Sequence, residues 1–167
     1  STVRSPVQNG LSLSSISEVI RSAASASVRA TSRVGTPMTS AASRAAAQVP
    51  APPGKVHIRL PHLREELLNQ LPAAHGGVIM TLLDSVMSRA ASDRPQAPSR
   101  TAVTVEMASR FHNPARGALL AEGWVVHASR SLCSCAAQLL DEEGRLVATA
   151  SGTFKYWLAP TTLGSAA

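Results

Sequence analysis

Aromatic residues are scarce in this chain: two Trp, two Phe and one Tyr among 167 residues. That leaves no interleaved aromatic and basic pattern of the kind that stacks bases, so nucleic acid is not an expected partner. Cysteine is limited to Cys133 and Cys135. They lie two apart in a strand-like run, so both side chains point to one face, and no His or Cys cluster accompanies them. They read as small core or half-buried residues, and no metal site is expected. No apolar run approaches the length of a membrane span and no secretory core is visible, so a soluble protein is expected. Acid is almost missing from the first third. Residues 1–64 carry Glu18 alone against Arg4, Arg21, Arg29, Arg33, Arg44, Lys55, Arg59 and Arg64. The net charge of +6 is therefore a property of the N-terminal segment, and the remainder is close to neutral.

The chain divides accordingly. Residues 1–54 read as an N-terminal extension. Ser15 to Glu18 matches a capping box, and Leu13, Ile16, Val19, Ile20, Ala23 and Ala24 form an apolar stripe, which predicts a short helix over 14–25. Residues 25–54 are rich in Ala, Ser, Arg and Pro without strand alternation, and read as a linker or weakly ordered arm. Arg-rich, Ser-rich and acid-poor composition also fits an organellar transit segment, mitochondrial or plastid, with the cytoplasm as the alternative location. Residues 55–159 form the predicted folded domain, and 160–167 a tail. Lys55–Leu60 alternates and stops at Pro61, a strand. A helical turn is possible at 63–68, and a helix follows over 76–91, closed by Pro95 and Pro98. Four strands are predicted next, at 101–111, 118–128, 131–140 and 145–157, joined by hairpin-like turns. In the first of them Val103, Val105, Met107 and Phe111 fall on one face, and Thr104, Glu106 and Arg110 on the other. This order predicts an α+β fold in which an antiparallel sheet of five or six strands wraps a long central helix.

That helix carries the chemistry. In HGGVIMTLLDSVMSRAAS, Ile79, Leu82, Leu83, Val86 and Ala90 share one face, and almost every turn is apolar. Asp84 projects about 200° from Leu82, beside Gly77, Met80, Met87, Ser88 and Ala91. An unpaired carboxylate is costly to bury, so a solitary Asp in such a helix calls for a reason. A reactive site is one; a satisfied structural Asp after a glycine-rich helix start is the other. Gly76 and Gly77 occupy the first turn, where backbone N–H groups lack intrahelical acceptors, and a missing side chain at Gly76 lets a ligand oxygen approach. Together these supply a carboxylate and an oxyanion-type donor. Apolar surroundings strengthen a carboxylate as a base. No G-x-S-x-G nucleophile elbow occurs.

The pattern Asn69-x5-His75-Gly76-Gly77-x6-Asp84, with TVEMASRFHNPARG and DEEGRLVATASGTF as later strands, resembles the hotdog-fold thioesterases. The likeness is greatest to the phenylacetate-degradation type and its eukaryotic relative, thioesterase superfamily member two, over about residues 55–158. The resemblance implies an acyl-CoA thioesterase of lipid metabolism that needs no cofactor. It implies Asp84 as base or nucleophile, Gly76 N–H on the thioester carbonyl, and Asn69 positioning water or substrate. His75 would support the site, and Thr104 would stand where a relative has Ser. It further implies a homodimer with the site at the subunit interface, assembled into a homotetramer. Gly77 and Met80 line the same helix face and are candidate substrate-binding residues. Arg110 and Arg116, with Arg130 and Lys155, are candidates for coenzyme A phosphates. A first strand before Lys55 is expected on this resemblance, yet residues 25–54 lack its pattern. His57 and His62 are expected at the surface, His112 in a turn, His127 at a strand end, and Trp124, Tyr156 and Trp157 in sheet packing or an interface. Two other classes remain: a non-catalytic acyl-CoA binding or sensing module, and a hotdog dehydratase acting on an acyl thioester.

Overall fold

His75 starts the central helix. Its backbone is extended, its ring Nδ1 accepts the Gly77 N–H at 3.1 Å, and its carbonyl accepts from Val78 and Ile79. This meets part of the donor surplus of a helix start. The helix then runs from Gly76 to Ser92 and buries Val78, Ile79, Leu82, Leu83, Val86, Met87, Ala90 and Ala91. The structure, a computed structural model, describes residues 38–93 and 100–158. The capping-box helix expected over 14–25, the Pro95 and Pro98 stop and the 160–167 tail lie outside the described residues.

In chain order the elements are α1 (Met38–Ala45), β1 (Ala47–Val49), β2 (Lys55–Leu60), a 3-10 turn (Glu65–Leu67), α2 (Gly76–Ser92), β3 (Arg100–Phe111), β4 (Leu119–Ala128), β5 (Leu132–Asp141) and β6 (Leu146–Leu158). The strands form one six-stranded sheet in the order β1-β2-β4-β5-β6-β3, with every neighbouring pair antiparallel. Helix α2 packs across β2 to β6. This is the hotdog fold, a sheet wrapped on a central helix. Among the described residues no helix is long and apolar enough to cross a membrane, and no cluster of His, Cys, Asp or Glu has the makings of a metal site.

The helix sits at backbone distance from the sheet. A Cβ at Gly123 in β4 would stand 2.8 Å from the Val86 carbonyl oxygen of α2, whereas one at Gly152 in β6 would crowd the neighbouring strand, 3.0 Å from the Glu106 carbonyl of β3. Cys133 and Cys135 complete the inner face of β5, both buried, their sulfurs 3.6 Å apart.

Three expectations change. The stretch read as a weakly ordered arm contains α1 and β1. Ala41 and Ala42 of α1 are buried and α1 packs on α2, while β1 pairs with β2 through Ala47–Arg59, Gln48–Ile58 and Val49–His57. An Ala/Ser helix shows no hydrophobic period, and a three-residue strand takes its conformation from the ladder it joins, so neither announces itself in the sequence.

The second change concerns the faces of β3. Its register against β6 shifts between Thr104 and Glu106, leaving Val105 as a bulge. Ala102 and Thr104 therefore pair with Tyr156 and Phe154 on the helix side, and after the bulge Met107, opposite Gly152, returns to that side. Strict alternation had put Thr104 and Glu106 on one face; an extra residue reverses the phase between them.

The third change is His57. It was expected at the surface, but it is fully buried on the sheet face away from α2, beside Glu122 at 3.2 Å. Gln138 donates to Glu122 at 2.7 Å and Lys55 lies at 3.4 Å, its ammonium also 5.5 Å from the centre of the Trp124 ring. His62 is exposed as expected, His112 and His127 are also exposed, Trp124 is half-buried, Tyr156 is buried in the core, and Trp157 is exposed.

Two outcomes follow. Gly123→Ala should lower stability by about 1–3 kcal/mol through overpacking against backbone that cannot yield, read as a lower denaturant midpoint. Glu122 is held down at about 2, chiefly by the His57 ring and then by Gln138 and Lys55, while burial opposes them. A depressed carboxylate contributes stability above its unfolded pKa and loses it as pH falls through the folded one. From roughly pH 4.5 down to 2 the protein should lose on the order of 3 kcal/mol from this group. Glu122→Gln should be less stable at neutral pH and flatter across that window, measured by denaturation at stepped pH.

Candidate functional site

Two groups of polar atoms lie along α2, and they do not meet. The first is at its middle. Asp84 is half-buried, and Thr104 Oγ1 donates to its Oδ1 at 2.6 Å. This bond is short and charge-assisted, and it holds one carboxylate oxygen. Asp84 faces a cleft of about 430 Å³ lined by Ser85, Ser88, Arg89, Ser92 and Thr101. The surroundings are hydroxyl-rich, where the apolar helix had suggested a dry pocket. Met87 and Ala91, expected beside Asp84, are buried in the core instead.

The second group is at the helix start. Asn69 closes the preceding loop: its N–H bonds to the Ala73 carbonyl at 2.8 Å, and its Oδ1 accepts from Leu71 N–H at 2.7 Å and Ala73 N–H at 3.4 Å. The side-chain carbonyl is thus committed to the loop, and the amide NH₂ is left to meet a ligand. His75, capping through Nδ1, carries its proton on Nε2 when neutral. The cap consumes the Gly77 N–H, so Gly77 does not offer the donor its position suggested. Among the described residues the Gly76 N–H has no acceptor. It borders a second, more apolar cleft of about 380 Å³ with Asn69, Ile79, Phe111 and Asn113. Met80 is exposed.

From Gly76 to Asp84 is eight residues, about 12 Å along the helix axis. The structure therefore brings Asp84 to Thr104, and Asn69 to Gly76, but not one pair to the other within a chain. Arg110 and Arg116 are exposed and line neither of these clefts. Arg110 pairs with Thr149 on the face away from α2. Sequence reasoning missed Ser92, Arg89 and Thr101 and gave Ser88 no role. The spacing of four from Asp84 to Ser88 to Ser92 was the available signal.

A carboxylate with one oxygen held and one free can take a proton from water or attack a carbonyl carbon. An unpaired N–H at a helix N-terminus can receive the oxygen on which charge then develops. Residues 71–148 match the thioesterase superfamily. That stretch, a little under half of the chain, is what it shares with the superfamily. Solved structures agree on the fold. Thioesterase superfamily member 2 of zebra fish is 23% identical, covers 88% of this chain and 99% of its own, and superposes with a TM-score of 0.62. The PaaI protein of the phenylacetic acid degradation operon of E. coli is 17% identical over 71% of this chain and 84% of its own, TM-score 0.62. The BH2602 protein of Bacillus halodurans, solved with CoA, is 28% identical over 60% of this chain and 70% of its own, TM-score 0.56. Comparison with curated protein sequences gives no match. The superfamily match supports thioester hydrolysis as the general activity.

One property of the α2 start separates packing from chemistry. A Cβ at Gly76 would meet only the Phe111 ring, at 3.7 Å, an ordinary contact, and its φ is not positive. The fold does not require glycine there. Gly76→Ala should therefore fold with unchanged stability or gain about 0.4–1 kcal/mol, measured by thermal unfolding, while ligand access to its N–H is obstructed.

Proposed function

We propose that the protein hydrolyses acyl-CoA thioesters to the free acid and coenzyme A, at sites completed by a second copy of the chain. Asp84 takes a proton from water as the water oxygen bonds to the thioester carbon, or its free oxygen attacks that carbon directly. The carbonyl oxygen, now negative, rests on the Gly76 N–H of the other copy, with the Asn69 amide orienting the reactants. Collapse of this intermediate breaks the C–S bond and releases CoA thiolate, which takes up a proton; where Asp84 itself has attacked, water then cleaves the Asp84–acyl anhydride to the free acid and the carboxylate. The observation that carries the reading is the Thr104–Asp84 bond on one part of α2 and the free Gly76 N–H about 12 Å away. One protomer cannot present both to one carbonyl; two can. Among the described residues the long β3, at the end of the sheet, has β6 alone as ladder partner and an open edge, a surface such a second copy would cover. The relative solved with CoA supports CoA as the carrier, and a dimer of dimers is the expected assembly. A dehydratase would need a His at the reacting carbon, and none lines the Asp84 cleft. The basic N-terminal segment supports delivery to a mitochondrion or plastid, to be read from the location of a fluorescent fusion.

Asp84→Asn should retain fold and assembly and lose roughly 10²-fold or more of its turnover on acyl-CoA, the scale of losing a positioned base. A panel of acyl-CoAs with thiol detection provides the assay. Unchanged turnover would make the carboxylate structural; no turnover by the wild type on any acyl-CoA would favour the sensing module. The shared site has its own test. Asp84→Asn and Gly76→Val chains, each inactive alone, should regain activity when mixed and reassembled, because one site of each hybrid dimer is intact. Failure to complement, or a monomeric mass by light scattering of active enzyme, would place the whole site within one chain.

A further inference from the structure

Asp84, Ser88 and Ser92 follow one another at intervals of four along α2, and all three bond to the first half of β3. Thr104 Oγ1 donates to Asp84 at 2.6 Å, Ser88 Oγ donates to the Ala102 carbonyl at 3.2 Å, and the Ala102 N–H donates to Ser92 Oγ at 3.2 Å. Both main-chain groups of Ala102 are thus taken by the helix. In an edge strand with β6 as its one ladder partner among the described residues, these are groups that would otherwise face the open edge. Immediately beyond Thr104 the ladder is broken by the Val105 bulge. Thr104 is therefore held from one side by a residue pinned to α2, and from the other by an irregular step.

We propose that Ser88 and Ser92 are positioning residues for the hydrolytic site: by fixing the Ala102 backbone they set the Thr104 hydroxyl on Asp84 Oδ1 and leave Oδ2 to the water. This rests on the reading of Asp84 as the base. The pair acts through Thr104 and touches no reacting atom. A misplacement of about 1 Å is enough to cost a large part of a rate. Without the two serine bonds, the edge strand before the bulge depends on β6 alone, and the hydroxyl has that latitude.

The test is a double-mutant cycle on the assembled full chain. Ser88→Ala/Ser92→Ala should lower kcat about fivefold to tenfold with KM within about twofold, and the Thr replacements, which keep a hydroxyl, should recover most of the loss. In a Thr104→Val background the same serine substitutions should change kcat by less than about twofold, since the group they position is gone. The Ala102 amide should exchange faster with deuterium in the serine variant, a readout independent of turnover. A full fivefold to tenfold loss on top of Thr104→Val, or a rise in KM matching the fall in kcat, would overturn the proposal. Unchanged exchange at Ala102 would do the same. If the double variant does not fold, Ser88→Ala alone removes one bond and is put through the same cycle. Failure of the base reading would appear separately, as an active Asp84→Asn enzyme whose Ala102 amide still exchanges faster when the serines are removed.

Discussion

The Val86 carbonyl lies 2.8 Å from where a Cβ on Gly123 would stand, and the rest of the molecule is arranged around that approach. A helix so close to a sheet buries eight apolar side chains, yet at its nearest point it leaves space for no side chain on the strand beneath. Small residues collect along the inner face beneath it: Ala121, Cys133, Cys135, Ala137, Ala148 and Ala150. Phe154, Leu139 and Tyr156 are the larger buried residues among them. The scarcity of aromatics reflects the same geometry, since a core of small separations has few positions that admit a ring.

The position of the helix decides where polar chemistry is possible. Along α2 the apolar side is committed to the sheet, and the remaining side divides between a hydroxyl-lined cleft beside Asp84 and a more apolar cleft beside Gly76. The opposite face of the sheet holds its own charges. There Glu122 is surrounded by His57, Gln138 and Lys55. Removing one partner would leave a buried charge short of compensation, so these four residues act as a structural unit.

Much of this was legible in the chain. Strand and helix limits come within a residue or two, because a neutral domain with strict apolar periods and punctuating Pro and Gly leaves few alternatives. The motif from Asn69 to Asp84 places the candidate groups on one helix and its leading loop. What period cannot show is a break in period. The bulge at Val105, α1 with its small side chains, and the three-residue β1 are fixed by contacts across the sequence. His57 was misplaced for a related reason: its partner Glu122 is 65 positions away, and only the β2–β4 register brings the two together. The consumption of the Gly77 donor by His75 depends on a ring rotamer, which a sequence does not encode in any visible pattern.

The bulge has a genetic side. In β3 the residues before Val105 and those after it are read in opposite phase, and the strand keeps both phases only because one residue is extra. Loss of that one codon would let the ladder run unbroken, but it would force one half of the strand to turn over: either Thr104 leaves the helix or Met107 leaves the core. The sheet has partners enough to survive the first outcome, since β6 pairs along the whole of β3. A single in-frame deletion at this strand would therefore part Thr104 from Asp84 while every residue of the helix motif stayed in place.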